Sequence, residues 1–426
     1  MVSKKRVAIV AILLALSSGC SNGSSGSGTG PSEHPGSSPV ASAGNKKPFD
    51  PPRVFNASPI SQKSPLNPAS RLGECSSGDG LLYCASGAGT ISAIDPSGDK
   101  QKWTTKTQLS PNKNAGPGAG WSAAAPVRTD DLAITAFGGV TEGSGTSKDR
   151  RSLEILAVDA STGKQRWNNV LDVGSALVDH LRIVGISADS IVISAGETTF
   201  CDWVDTMTAT WVVDLQTKQI RWKKDGFLAG NVGKGVVSGN IMTKKNNVKY
   251  TALTGLSDSD GNALWETATP NHGVTGFLRP EITDFIVTST CGTVDLNLLD
   301  PATGTALYSD KAKTRADLTP GWDCFFDKST ALICQEKIVN GRIISIDTRS
   351  PSETVWQFSS DENRTAPAIT GAFHGIIYGT TGGNRKQAVS LDVNSGNDLP
   401  DAPVVAPTWV DKYLGITREG IYLPTK

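Results

Sequence analysis

The chain has 426 residues, of which 41 are basic and 41 acidic, so its formal net charge at pH 7 is zero. This balance, without a basic stripe along the sequence, argues against a nucleic-acid-binding protein, in which Lys and Arg cluster on one face. Beyond the first 20 residues, no apolar run approaches the length that a membrane-spanning helix needs.

Residues 1–19 have the features of a bacterial signal peptide. Three basic residues precede a short apolar run over 7–16, and small residues then lead to Cys20. This order defines an export signal. The ending resembles a lipobox, in which the cysteine is acylated and becomes the first mature residue, although Ser17 stands where leucine is usual. The resemblance implies that Cys20 is lipidated. The alternative is plain secretion, with Cys20 removed or unmodified.

Residues 20–47 are predicted to be the lipidated cysteine and a flexible tether. The stretch is rich in Gly, Ser and Pro and almost free of apolar residues, so it cannot form a core. An anchor with two or more acyl chains would hold the protein stably at a membrane. We therefore expect residues 48–426 to form one folded domain on the outer face of the cell membrane.

A strand–turn–strand signature recurs seven times in this domain. Its best copy reads LEILAVDASTGKQRW, with a turn from Asp159 to Gly163 and a second strand that ends on Trp167. The aspartate can accept hydrogen bonds from its own turn, the glycine supplies a positive φ, and the tryptophan offers a large apolar face. One hairpin cannot bury that face, so the copies must stack. The copies are 91–103, 153–167, 211–222, 253–265, 294–308, 343–356 and 388–400.

The copies vary at few positions. Six turns start with aspartate and one with Ser257, and a turn glycine recurs in five copies, shifted by one residue to Gly98 in the first. The mean spacing is about 50 residues, a period typical of propellers and solenoids. The residues expected to hold repeats together, rather than to form a site, are Asp95, Trp103, Asp159, Gly163, Trp167, Asp214, Trp222, Trp265, Asp300, Tyr308, Asp347, Trp356 and Asp392.

A pair of strands precedes each signature, so each repeat is interpreted as a four-stranded antiparallel sheet. After the seventh signature, 413–417 and 420–423 resemble one more inner pair, whose outer strands could come only from residues around 53–56. Eight inner pairs favour an all-β propeller of eight blades, closed by pairing of the N- and C-terminal segments, which removes free sheet edges. Seven blades are the alternative.

The signature resembles the tryptophan-docking motif of pyrroloquinoline quinone (PQQ)-type, BamB-like β-propellers. The motif is A-x-D-x-x-T-G-x-x-x-W, and residues 157–167 match every fixed position. The resemblance covers most of 72–400 and implies the fold. It does not fix the function, because this superfamily includes both quinone-dependent dehydrogenases and non-catalytic lipoproteins. The tether and the Ala/Gly-rich composition are more similar to surface lipoproteins of Gram-positive actinobacteria.

Six cysteines remain besides Cys20, and an even number in an exported chain predicts disulfides. Two pairs flank short turns between inner strands, so each could cross a hairpin. The last two cysteines follow inner strands two blades apart, and their pairing needs a loop that reaches over. The predicted pairs are Cys75 with Cys84, Cys324 with Cys334, and Cys201 with Cys291.

We predict no catalytic residue, cofactor or metal ligand. The dehydrogenase resemblance would imply an adjacent Cys-Cys pair, and the sequence has none. No G-x-S-x-G nucleophile turn occurs. Residues 258–262 begin like a calcium loop but coincide with the fourth signature turn and lack the closing glutamate. The three histidines of the domain are interpreted as turn, loop or surface residues: His180, His272 and His374.

The predicted function is a non-catalytic, extracytoplasmic, membrane-anchored scaffold that binds a protein or a small ligand through its loops. The alternative is a quinone-dependent dehydrogenase or another enzyme with its site in the central channel. Membrane contact would come through the lipid anchor only. Longer insertions at 107–121, 138–151 and 196–210 would form the binding face. Candidate exposed aromatics are Trp121, Trp203 and Trp322, with buried packing as the alternative for each.

Overall fold

In this computed structural model, the described residues are 48–62, 75–111, 122–174, 180–196, 208–245, 248–267, 275–277, 284–290, 295–311, 321–338, 341–359, 364–382, 387–401 and 403–426. They form eight antiparallel sheets, which are the blades of an eight-bladed β-propeller. The predicted fold class and blade number are confirmed. Among the described residues, no helix has the length and apolar character needed to cross a membrane.

The first four blades follow one another along the chain. Blade 1 is β1 Cys75–Gly78, β2 Leu81–Ser86, β3 Thr90–Asp95 and β4 Lys100–Lys106; blade 2 is β5 Ser122–Ala123, β6 Val127–Arg128, β7 Leu132–Thr141, β8 Arg150–Asp159 and β9 Gln165–Asp172. Blade 3 is β10 Arg182–Ile186, β11 Ser190–Ala195, β12 Ala209–Asp214 and β13 Ile220–Asp225; blade 4 is β14 Phe227–Gly233, β15 Val236–Lys245, β16 Val248–Ser257 and β17 Ala263–Thr267.

The last four blades complete the ring. Blade 5 is β18 Thr275–Phe277, β19 Ile286–Thr290, β20 Asp295–Leu299 and β21 Ala306–Lys311; blade 6 is β22 Trp322–Phe326, β23 Ala331–Glu336, β24 Ile343–Asp347 and β25 Thr354–Phe358. Blade 7 is β26 Ala368–Phe373, β27 Ile376–Thr380 and β28 Ala388–Asp392, with Asp398 bridged to Leu391 as a short fourth strand. Blade 8 is β29 Trp409–Val410, β30 Gly415–Ile416 and β31 Ile421–Tyr422.

The N-terminal segment supplies the outermost strand of blade 8. Phe55 bridges Pro424 and Ser61 bridges Ile421, both antiparallel. The closure by both chain ends is as predicted, but the C-terminal segment gives three strands rather than one inner pair. The sequence pattern missed β29 because two-residue strands leave no alternation to detect.

The hydrophobic core is divided among the junctions between blades. Within the described residues, eight buried clusters form, and each contains residues of two neighbouring blades. The cluster between blades 8 and 1, for example, joins Ile416 to Leu82. Because both faces of a blade are covered, β8 is buried from Ser152 to Val158 as one continuous run instead of alternating.

The predicted insertion at 138–151 is partly regular structure, since six of its fourteen residues belong to strands β7 and β8. Strands β7 and β8 pair in one continuous register, from Leu132 opposite Asp159 to Thr141 opposite Arg150. Residues 142–149 connect the two strands. The insertion therefore lengthens the hairpin by a few residues and leaves an eight-residue connection at its end. Strands β15 and β16 form a second ten-residue hairpin.

Candidate functional site

The two ends of the propeller carry connections of different kinds. We call the turn face the end that holds the turns between first and second and between third and fourth strands. Outside blade 5, these turns have two to six residues. We call the loop face the opposite end, which holds the connections between second and third strands and between successive blades. Those connections range from one residue, Gly226, to fifteen, 107–121.

On the turn face, four signature tryptophans dock against the next blade in one common geometry. Each indole Nε1–H donates to the carbonyl oxygen of the residue that follows the first residue of the next signature turn. The bonds are Trp103 to Ala160 at 3.1 Å, Trp222 to Asp258 at 2.9 Å, Trp265 to Pro301 at 2.8 Å and Trp356 to Val393 at 2.7 Å.

The accepting residue also bonds within its own blade. The Ala160 N–H donates to Asp131 O at 2.8 Å, and the Val393 N–H donates to Gly375 O at 3.0 Å. The backbone of one residue thus joins the inner turn of a blade, its outer turn and the indole of the preceding blade. These repeated contacts stabilise the ring.

The turn glycine provides the flat surface on which the indole lies. Gly163 has φ +71°, and a Cβ built there would lie 2.5 Å from Trp103 Cδ2. Gly261, Gly304 and Gly396 have the same relation to the tryptophan of the preceding blade. A side chain at this position would displace the docked indole.

In two blades a residue other than glycine has the positive φ at this turn position. Lys218 adopts φ 63° in blade 3, and its Nζ lies 4.4 Å from the centre of the Trp167 ring, a cation–π contact. In blade 1 the positive φ belongs to Asp99, four residues after Asp95, so the expectation that the shifted Gly98 supplies it was wrong. The Asp99 carboxylate accepts a 2.6 Å bond from Ser61 of the closing strand.

Hydrogen bonds within their own turns stabilise the carboxylate forms of Asp159 and Asp347. The Ser161 hydroxyl and the Arg166 guanidinium hold the pKa of Asp159 well below its usual range. Hydrogen bonds from Arg349 lower the pKa of Asp347 to about 2. Asp159 and Asp347 therefore organise their turns, and each is paired with an arginine of its own blade.

Acid should therefore destabilise the propeller. The folded pKa values of these aspartates lie below the unfolded value of about 3.9, so their stabilisation is complete above that pH and is lost as the pH falls through about 2 for Asp347. Thermal unfolding should show a falling Tm over this range, with a smaller fall in Asp347→Asn. A Tm that is constant or rises on acidification would contradict this.

Three junctions lack a signature tryptophan: those of blades 5 and 6, of blades 7 and 8, and of blades 8 and 1, where Ser61 of the closing strand bonds to Asp99. Between blades 5 and 6, Tyr308 OH lies 2.9 Å from Thr354 Oγ1. Pro400 stands where blade 7 would carry an aromatic residue, and the junction of blades 7 and 8 is packed instead by Phe55, Phe373 and Tyr378. Packing at the junction of blades 7 and 8 therefore depends on Phe55 of the N-terminal strand.

The fourth signature turn does not have the character of a calcium loop. Asp260 Oδ1 accepts the N–H of Asn262 at 3.1 Å, and its Oδ2 accepts the Asn262 amide at 2.7 Å. The Asp258 carbonyl accepts the indole of Trp222. Among the described residues, no group of three His, Cys, Asp or Glu side chains is placed to hold a metal ion.

Two disulfides cross the inner hairpins of blades 1 and 6. Cys75 and Cys84 face each other across β1 and β2 with a Cα–Cα distance of 4.0 Å, and Cys324 and Cys334 do so across β22 and β23 at 4.1 Å. The remaining predicted cysteines lie outside the described residues: Cys20, Cys201 and Cys291.

Loss of one hairpin disulfide should cost about 2–3 kcal/mol, since each closes a loop of about ten residues. We expect this for Cys75→Ser combined with Cys84→Ser, measured by denaturant unfolding against the wild type. Mass mapping without reductant should recover both hairpin pairs. Free thiols at Cys75 and Cys84 in the native protein would contradict the pairing.

Two buried carboxylates, Glu154 and Asp327, and the half-buried Asp411 join separate segments. Glu154 is fully buried and accepts the N–H of Gln108 at 2.7 Å. Asp327 is also fully buried and accepts the N–H of Gly375 in the next blade at 3.0 Å. Burial raises the pKa of Asp411, which accepts a 2.7 Å bond from Ser77 of blade 1. Each of these carboxylates therefore links parts of the ring.

The remaining predicted candidates are scattered. His374 has φ 38° in the β26–β27 turn, and its Nδ1 bonds to Asp50. His180 has φ 51° just before β10. Trp322 is fully buried with Arg342 over its ring at 5.2 Å, so it is not an exposed aromatic. The other candidates lie outside the described residues: Trp121, Trp203 and His272.

Comparisons with known proteins agree with this architecture. The family described as "Outer membrane protein assembly factor BamB" matches residues 60–200. This match and the docking geometry support a PQQ-like β-propeller. No curated protein matches the chain.

Three solved structures are similar. BamB from Moraxella catarrhalis has 13% identity, a TM-score of 0.45, and coverage of 83% of this chain and 94% of that one. Quinohemoprotein alcohol dehydrogenase from Comamonas testosteroni has 11% identity and a TM-score of 0.42, and the match covers 77% of this chain and 66% of that one. The computationally designed Ika8 protein has 14% identity and a TM-score of 0.43, and the match covers 82% of this chain and 94% of that one. Similarities of this size carry no argument about function.

The donor set does not fit a PQQ site of the dehydrogenase type. The resemblance implies adjacent cysteines beneath the quinone, but no two cysteines are adjacent in this sequence. Cys75 and Cys324 are each bonded across a hairpin. No redox step is therefore assigned to this propeller.

Proposed function

We propose that the protein is a non-catalytic, membrane-anchored β-propeller of the extracytoplasmic space that binds a partner protein through its loop face. The family match over 60–200 supports a protein-binding role. The anchor is proposed from the sequence of residues 1–20, which resembles a lipoprotein signal ending at Cys20.

The difference between the two faces carries the proposal. On the turn face, the repeated aspartates, glycines and tryptophans bond to their own turns or to the next blade. On the loop face, connections differ in length and sequence from blade to blade. A surface that is different in every blade can recognise one partner, whereas repeated docking turns give the partner no unique feature. The proposed specificity therefore lies in the loop face.

Co-purification tests the binding role. A tagged chain expressed with its own leader would be solubilised from native membranes in mild detergent and compared with a variant whose 142–149 connection is replaced by a two-residue turn. We expect a stoichiometric partner with the wild type and at least tenfold less with the variant. Gln216→Ala, an exposed change on the turn face, is the matched control and should retain the partner.

Fractionation tests the anchor separately. The wild type should remain with membranes, and Cys20→Ser should be released into the medium or periplasm. A wild-type chain found only in the soluble fraction would overturn the anchor. Turnover of alcohols or sugars after addition of PQQ and calcium would overturn the non-catalytic assignment.

A further inference from the structure

The two disulfides that the described residues contain lie at junctions without a signature tryptophan. The outer strand of blade 5 ends on Tyr308, and residues 53–61, which close blade 8, contain no tryptophan. Cys334 belongs to the buried cluster between blades 5 and 6, and Cys84 packs against the cluster between blades 8 and 1. The remaining junction of this kind, between blades 7 and 8, is packed by Phe55. A disulfide therefore coincides with a missing indole at two junctions.

Each disulfide lies on the side of its hairpin that faces the preceding blade. In a strand, residues two apart point to the same side. Leu82 of β2 lies in the cluster that contains Ile416 of blade 8, and Cys84 packs against it. Cys334 of β23 shares its cluster with Leu298 of blade 5. The sulfur atoms are thus part of the packing between blades, and each disulfide belongs to a junction as well as to its own hairpin.

The disulfides also fix strands that have a sheet partner on one side only. Among the described strands, β1 pairs with β2 alone and β22 with β23 alone, because both are the innermost strands of their blades. β1 has four residues, none of them fully buried. Ser77, two residues after Cys75, donates to Asp411 of blade 8 at 2.7 Å across the junction. The link from Cys75 to Cys84 therefore holds in place the strand that makes this contact.

We infer that the two disulfides are redox-sensitive clamps, and that reduction loosens the ring at these two junctions in preference to the others. One thiolate of a small dithiol attacks a cysteine Sγ, forms a mixed disulfide and releases the second cysteine. The other thiolate of the reductant then displaces the first cysteine, so the reductant becomes a disulfide and both cysteines become thiols, with two electrons and two protons transferred. Two thiol sulfurs need more room than two bonded sulfurs, and overpacking a tight interface destabilises it. No signature indole is present at these junctions to compensate.

The junction of blades 8 and 1 should open first. Cys75 and Cys84 are both half-buried, and Cys75 begins a strand whose second edge has no sheet partner among the described strands. In the other pair Cys324 is half-buried but Cys334 is fully buried. Because thiol–disulfide exchange needs access to a sulfur atom, a dithiol reaches the first pair sooner. We therefore expect stepwise loosening, first beside blade 8 and then beside blade 5.

Hydrogen–deuterium exchange, read by mass spectrometry, tests the clamps blade by blade. One variant combines Cys75→Ala with Cys84→Ala, and the other combines Cys324→Ala with Cys334→Ala, since alanine leaves no buried hydroxyl. We expect amide exchange to become at least about tenfold faster in the preceding blade, which is blade 8 for the first variant and blade 5 for the second.

The following blade is the matched control in each variant. Trp103 still docks blade 1 on blade 2, and Trp356 still docks blade 6 on blade 7. Exchange in blades 2 and 7 should therefore change less than about twofold. The wild type reduced with dithiothreitol gives the same comparison without mutation, and alkylation of the thiols records the order of reduction.

Three results would overturn the clamps. They are faster exchange in the disulfide's own hairpin alone, equally faster exchange in both neighbouring blades, and global unfolding of the wild type on reduction. Reduction of the Cys324–Cys334 pair before the Cys75–Cys84 pair would overturn the proposed order of opening.

Discussion

Gly163→Ala should destabilise the propeller by about 3 kcal/mol. Gly163 lies at φ +71°, where an alanine costs about 1–2 kcal/mol. Its new Cβ would also meet Trp103 at 2.5 Å, and displacing a packed side chain adds about 1–3 kcal/mol. The shifted indole would strain its bond to Ala160, so the junction of blades 1 and 2 should weaken as a unit.

Two other glycines distinguish the cost of backbone strain from the cost of contact with Trp103. Gly145 has φ +62° with nothing within 4 Å of an added Cβ, so Gly145→Ala should show backbone strain alone, about 1–2 kcal/mol. Gly98 has neither the positive φ nor a close neighbour, and Gly98→Ala should change stability by less than about 0.5 kcal/mol. Equilibrium denaturation with tryptophan fluorescence gives all three values. Equal losses at Gly163 and Gly145 would contradict the docking role.

Phe55→Ala should cost about 3–5 kcal/mol, in the range for a buried phenylalanine. Phe55 is 1% exposed and packs edge-on to Tyr378 with ring centres 6.0 Å apart. Gly415 leaves no room for a Cβ beside it, since that atom would lie 2.5 Å from Phe55 Cε1. The side chain attaches the closing strand to blades 7 and 8, and its loss should loosen that strand first.

Limited proteolysis and denaturation together test this role. In Phe55→Ala, cleavage within residues 48–61 should become faster before cleavage elsewhere. Val404→Ala removes a 52% exposed side chain from the same region and should be nearly neutral. Tyr378→Phe removes only the hydroxyl that bonds to Pro52 and should cost about 1 kcal/mol. A loss below about 1 kcal/mol for Phe55→Ala would show that the ring closes without this strand.

The fold could be predicted because the same residue types occupy the same turn and docking positions in most blades. A turn aspartate, a turn glycine and a final tryptophan recur at a spacing that only stacked sheets explain, as in 153–167. Both chain ends were needed to complete an eighth blade, and the pairing of Phe55 with Pro424 follows from that requirement. The number of inner strand pairs in the sequence predicted the number of blades, because each blade contains one such pair.

The exceptions escaped prediction for physical reasons. Lys218 and Asp99 adopt positive φ without being glycine, since the turn imposes the conformation and neighbouring contacts offset the strain. The stretch 138–151 was predicted to be an insertion on the binding face, and 142–149 do form a connection there, but its first four and last two residues continue the strands of the hairpin. Trp322 could not be distinguished from an exposed aromatic because one residue has no periodicity.

The candidate site was less predictable than the fold. A repeat pattern identifies the residues that hold blades together, such as Asp159 and Trp103, but binding would use the positions where blades differ. Glu154 shows the difficulty: it lies in an apolar strand, and its partner Gln108 comes from a preceding connection. Such long-range contacts cannot be read from local sequence.

Site-specific photocrosslinking in intact cells tests the central claim, that a partner protein binds the loop face. A photoreactive residue is placed at one exposed position at a time, at four positions on each face. The loop-face positions are Ala88, Thr146, Ile338 and Arg418, and the turn-face positions are Lys164, Gln216, Asp260 and Ser395.

We predict discrete protein adducts of one common mass from at least one loop-face position and none from the turn face. Adducts confined to the turn face would contradict the account, as would adducts of equal yield from both faces. The absence of protein adducts from all eight positions, in a folded protein retained at the membrane, would also contradict it.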